Sequence, residues 1–125
     1  MAKKLAILFG IVFVIVGLLG FVSNPIVGAT GYFLTDAIHN IVHILVGVVL
    51  LLASRKGGRA SATALKVFGV IYLVLFLDGL VQEKLLGFIA SNTADTYLHL
   101  VLGVVLLIAG ATSKSAPAMM DSSTM

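Results

Sequence analysis

Three histidines and an aspartate lie inside stretches that are otherwise apolar: His39 and His43 in 37–53, Asp78 in 65–81 and His99 in 96–111. Ionisable side chains in such surroundings are costly and normally face one another inside a bundle. Imidazoles and a carboxylate can do three things together. They can form a hydrogen-bonded network that holds helices in register. They can exchange a proton near neutral pH. They can hold a haem or a divalent metal ion, since His39 and His43 have the i,i+4 spacing that lets two imidazoles share one ion.

Depth groups these residues. His43 lies about 10 Å below Asp36 along its helix, His99 about 6 Å below Asp95, and Asp78 about 6 Å below Gln82. The network reading is adopted: His39, His43, Asp78 and His99, with Asn40, form a candidate polar cluster. No catalytic, cofactor-binding or metal-ligating residue is assigned. Asp78 projects opposite to Gly69 at 100° per residue, and Leu19 occupies its equivalent place in the first run, so the site is asymmetric. Other chemistries lack their residues. The chain has no cysteine, which excludes disulfides, thiolate metal sites and cysteine nucleophiles. It carries no phosphate loop, no Ser–His–Asp order with supporting glycine turns, and no nucleic-acid patch.

The elements that position these groups are apolar helices. Of 125 residues 60% are hydrophobic and 10% charged, with a mean hydropathy of +1.18; soluble domains run closer to about 45–50% apolar and a quarter charged. Four runs, about 5–22, 37–53, 65–81 and 96–111, are each read as a spanning helix, the shorter ones reaching into the headgroup region with their polar turns. A cleaved leader is the alternative for the first run. That run exceeds a typical leader's apolar core and repeats the third run, so it is read as retained. Thr35 or Asp36 is the natural N-cap of the second helix.

Basic residues set an expected orientation. Lys3, Lys4, Arg55, Lys56, Arg59, Lys66 and Lys114 lie on one side of the four runs, and Lys84 alone on the other. The positive-inside rule then puts both termini and the 54–64 link in the cytoplasm. The link, SRKGGRASATA, breaks the second helix at Gly57-Gly58 and suits an anionic inner leaflet. The segment 112–125 reads as a disordered cytoplasmic tail.

The chain also repeats itself. LFGIVF (8–13) matches VFGVIY (67–72) at an offset of 59, and HILVGVVLL (43–51) matches HLVLGVVLL (99–107) at an offset of 56. Each unit is then a helical hairpin, and the two share one orientation. Asp36, His39, His43 and Gly47 line one stripe of the second helix; Asp95, His99 and Gly103 line one stripe of the fourth. Glycine there lets a neighbouring helix approach closely, so Gly47 and Gly103 are the expected helix-packing positions.

NTADTYLHLVLGVVLL (92–107), with the partly similar DAIHNIVHILVGVVLL (36–51), resembles the signature of the DUF4383-like proteins, small bacterial four-helix membrane proteins whose shared domain has no assigned activity. The resemblance covers most of residues 1–110 and implies a bacterial inner-membrane protein. The expectation is therefore an all-α, four-helix transmembrane bundle built from two duplicated helical hairpins, N-in/C-in. Its expected role is non-enzymatic, as a membrane component or accessory subunit. The alternatives are a small oligomeric transporter or channel with a proton-linked His/Asp site, and a cofactor-binding electron-transfer subunit. Expected partners are the lipid bilayer and a second copy or a membrane complex, with no nucleic acid and no cofactor.

Overall fold

A computed structural model describes residues 1–112 of the chain. The elements are α1 (Ala2–Leu19), β1 (Val27–Gly28), β2 (Phe33–Leu34), α2 (Ala37–Arg55), α3 (Gly58–Val81) and α4 (Thr93–Thr112). All four helices are long and apolar enough to cross a membrane, and the protein is a multi-pass integral membrane protein. The inward residues of α1 are small or aromatic: it buries Ala2, Ala6, Gly10, Phe13 and Gly17. Leu8, Ile11, Ile15 and Leu18 on the same helix stay exposed, as lipid-facing residues do where the solvent is itself apolar.

Each helix departs from its sequence-based bounds for a local reason. α1 stops at Leu19 rather than continuing to residue 22: the chain leaves it through tight turn bonds, Phe21 N donating to Leu18 O at 3.1 Å and Val22 N to Leu19 O at 3.0 Å, and the Asn24 amide reaches back to this end. Asn24 Nδ2 donates to Leu19 O at 2.9 Å and Val22 O at 2.6 Å. The same side chain organises the loop, donating to Val27 O and accepting from the amides of Ile26 and Val27. That loop holds an unforeseen two-stranded parallel pair, with Val27 opposite Phe33 and Gly28 opposite Leu34.

The 54–64 segment, read as a link, is almost entirely helical. α2 runs to Arg55 and α3 begins at Gly58. Only Lys56 and Gly57 break the path, and Gly57 has a φ of 111°, a left-handed value that glycine adopts without a Cβ clash. Alanine-rich sequence favours helix beyond that point, and buried Ser61 ties the turn by donating to Gly57 O at 2.7 Å. α4 starts at Thr93 and ends at Thr112, whose hydroxyl donates to Ile108 O. The expected tail falls outside the described residues beyond Thr112.

α1 packs chiefly on α2, and α3 on α4. Each pair crosses at facing glycines. A Cβ on Gly47 would lie 2.6 Å from Gly10 O, and one on Gly10 would lie 2.9 Å from Gly47 O. The second pair repeats this with Gly69 and Gly103: a Cβ on Gly69 would meet Gly103 O at 3.0 Å, and one on Gly103 would meet Leu73 N at 2.9 Å. Contacts this close leave no room for a side chain at Gly47 or Gly103. The hairpins meet over a core of Phe13, Leu50, Leu65, Tyr72 and Leu106, where the Phe13 and Tyr72 rings stack at 5.6 Å.

Candidate functional site

One end of the bundle carries the loops 20–36 and 82–92. These loops and the helix turns beside them hold Asp36, Asp78, Glu83 and Asp95 against a single cation, Lys84. Lys3, Lys4, Arg55, Lys56, Arg59 and Lys66 lie at the other end.

Short polar residues start both helices that rise from the acidic end, because the first amides of a helix need acceptors. Asp36 caps α2, its Oδ1 accepting from His39 N at 2.9 Å. Asn92 does the same for α4, its Oδ1 accepting from Asp95 N at 3.0 Å. Each capping residue also reaches across to the other hairpin. Asp36 Oδ2 accepts from Ala90 N at 3.1 Å, and Asn92 Nδ2 donates to Tyr32 O at 2.9 Å. Burial alone would raise the Asp36 carboxyl, but the amides of His39 and Ala90 outweigh it and hold the group below its ordinary range.

One turn inside these caps, three groups converge. His39 Nε2 lies 3.4 Å from Asp95 Oδ2, and His99 Nε2 lies 3.5 Å from the same oxygen. A ligating atom from each of the three residues lies within 4.8 Å of the other two, and none of the three is more than 3% exposed. His39 Nδ1 sits 2.7 Å from Ala90 O. A carbonyl only accepts, so Nδ1 carries the proton, and a neutral His39 ring presents a bare Nε2 lone pair to the carboxylate. Ser91 Oγ donates to Asp95 Oδ2 at 3.0 Å and orients it. Both ring nitrogens of His99 lack a hydrogen-bond partner among the described residues.

Of the four residues grouped from sequence, the structure brings His39 and His99 together. His43 is a turn deeper. Its ring stacks between Phe13 at 5.6 Å and His39 at 5.0 Å, so the His39–His43 pair stacks rings rather than converging nitrogens on one ion. The Asn40 side chain lies at the end of α1, in the space that Gly20 leaves open. Asp78 stands apart. It accepts from Gln82 Nε2 and, at 2.7 Å, from Leu86 N, and so braces the loop that follows α3. The reason is rotational: Gly69 turns toward α4, and Asp78 lies half a turn around the helix from it.

Asp95 is the member the sequence grouping omits. Its stripe with His99 and Gly103 is visible from spacing, and the offset of 56 that equates His43 with His99 also equates His39 with Asp95. The residues paired across the bundle are thus the ones that the offsets equate. His39 meets Asp95, and Phe13 meets Tyr72 across the offset of 59.

A cleft of about 450 Å³ opens beside the cluster, lined by Gly79, Gln82, Glu83, Ser91, Asn92 and Thr96 among others. Ser91 both borders this cleft and bonds Asp95. Below the cluster, Tyr72 lies 5.4 Å from the His99 ring and the aromatic and leucine core fills the bundle.

The model of a family described as "Domain of unknown function (DUF4383)" matches residues 3–112. No curated protein and no solved structure matches the chain.

Proposed function

We propose, from the premise that this chain belongs to the DUF4383 family, that it is a non-enzymatic component of the bacterial inner membrane. It acts as an accessory subunit that works through helix contacts within the bilayer. One observation carries this reading. Polar groups at the acidic end join the two halves of the bundle, with Asp36 and His39 gripping Ala90 and Asn92 gripping Tyr32. The core beneath them is closed by Phe13, Tyr72, Leu50 and Leu106, a packing that favours the accessory role over a transport path within one protomer.

Both termini and the Lys56–Gly57 turn face the cytoplasm in this proposal, because the basic end then meets the anionic inner leaflet. The two hairpins derive from one ancestral hairpin. Support comes from equated positions with equated roles: the glycine crossings at 10/47 and 69/103, the caps Asp36 and Asn92, and the fully buried Leu50 and Leu106.

The test is native electrophoresis of gently solubilised membranes beside the purified protein, with reconstitution into liposomes. An accessory subunit migrates in a larger assembly of fixed size and leaves proteoliposomes no leakier than lipid alone. Flux driven by an imposed ion or pH gradient in proteoliposomes would overturn the proposal in favour of a transporter.

A further inference from the structure

We propose that His39, Asp95 and His99 form a binding site for one divalent cation of the zinc class, reached from the acidic end of the bundle. This goes beyond the accessory role and does not depend on it.

The first argument is the pairing of lone pairs. With its Nδ1 proton committed to Ala90 O, a neutral His39 ring faces Asp95 Oδ2 lone pair to lone pair. Such an arrangement inside a membrane bundle repels unless positive charge lies between the atoms. His99 adds a third Lewis base, and neither of its nitrogens finds a hydrogen bond among the described residues.

Distance then separates a metal ion from a shared proton. A charge-assisted N–H···O bond settles at about 2.7–2.9 Å. The two contacts here are 3.4 and 3.5 Å. Ligands held about 2.0–2.2 Å from a tetrahedral ion stand about 3.3–3.6 Å from each other, the edge of the tetrahedron. The observed separations fit that edge and exceed a proton bridge.

The surroundings fit as well. A ligating imidazole usually donates its other N–H to a carbonyl or carboxylate, which fixes the tautomer and aims the free nitrogen; His39 does so through Ala90 O. Ser91 orients the carboxylate from the cleft side. Nitrogen and carboxylate donors without thiolate suit zinc, and cobalt(II) as its spectroscopic substitute. Two neutral imidazoles and one carboxylate reduce a divalent ion to a single net charge, which lowers the cost of burial. Glu83 at the cleft favours cation entry over anion entry.

The experiment uses the full chain in detergent, freed of metal with a chelator and titrated with CoCl2. Expected is one cobalt per chain, with the visible ligand-field bands of a tetrahedral site, displaced by ZnCl2. Ser91→Ala removes an outer-shell partner and should weaken binding by about 10–100-fold; Asp95→Asn and His99→Gln remove ligands and should weaken it further, while Asp78→Asn binds as the wild type does. Ser91→Ala lies outside the ligand set and leaves the core intact, so its loss of affinity carries the same comparison should a ligand variant fail to fold. A wild-type chain that takes up neither cobalt nor zinc overturns the site. So does six-coordinate cobalt whose affinity is unchanged in Asp95→Asn, His99→Gln and Ser91→Ala. Either failure leaves the native-assembly result for the accessory role unaffected.

Discussion

Replacing Gly47 by alanine adds one methyl group at the α1–α2 crossing. Its Cβ would fall 2.6 Å from Gly10 O, 2.7 Å from Val14 Cγ2 and 2.8 Å from Val14 N, where ordinary van der Waals contact begins at 3.4 Å. Two of these three atoms are backbone, so no rotamer change relieves the clash. The helices must move apart by about 0.8 Å at the crossing, a gap that forfeits a quarter to a half of each affected dispersion contact. Overpacking of this kind costs about 1–3 kcal/mol, and alanine returns up to about 1 kcal/mol through its higher helix propensity. With the full return the net loss is about 0–2 kcal/mol, centred near 1, which lowers a melting temperature by several degrees. Gly58→Ala is the control, because a Cβ there meets nothing within 4 Å. The assay is thermal unfolding in one detergent, followed by helix signal and by loss of the monodisperse peak. Gly47→Ala melting with Gly58→Ala, at or above wild type, would refute the close crossing.

Asp36→Ala should cost about 0.5–2 kcal/mol through the lost α2 cap. Because the folded carboxyl is held below its ordinary value, that contribution is present above about pH 4 and fades as pH falls through the folded value, so the variant and wild type should converge in acid. Asn24→Ala removes five hydrogen bonds from the 20–36 loop; faster amide exchange at Ile26 and Val27, with little change in global melting, is the expected result. For orientation, cysteines at Ser23 and Glu83 should react with an impermeant thiol reagent on intact cells, and cysteines at Lys56 and Arg59 only after permeabilisation. Labelling of Lys56→Cys from outside would reverse the proposed topology.

The number of helices and their apolar character were legible in the sequence, since both rest on local periodicity and side-chain type; the stripes of α2 and α4 pointed to Gly47 and Gly103, but not to the glycine across each crossing. The helix ends were less legible. The Arg-, Ser- and Thr-containing stretch between Gly58 and Ala64 looks like a polar link by composition, yet its alternate alanines favour helix once Gly57 has turned the chain. The Asn24 loop was hidden because its bonds depend on a backbone path that spacing does not specify. The polar cluster was half legible. His39 and His99 sit on recognisable stripes, but depth alone drew in Asp78, and only the rotation of α3 about the Gly69 contact shows that it faces away. Asp95 was visible as the first residue of its stripe, and its part in the cluster follows from how the two hairpins meet, which a single sequence does not contain.

The convergence of His39, Asp95 and His99 between the hairpins is tested most directly by magic-angle-spinning NMR of the protein in lipid bilayers, with histidines and aspartates labelled in carbon-13 and nitrogen-15. His39 Nδ1 should appear as the protonated nitrogen in a hydrogen bond to a backbone carbonyl, and the Asp95 carboxyl carbon should show through-space contacts to both the His39 and His99 rings. Contacts from Asp95 to His99 alone, with His39 Nδ1 unprotonated, would contradict the joining of the two hairpins at this site.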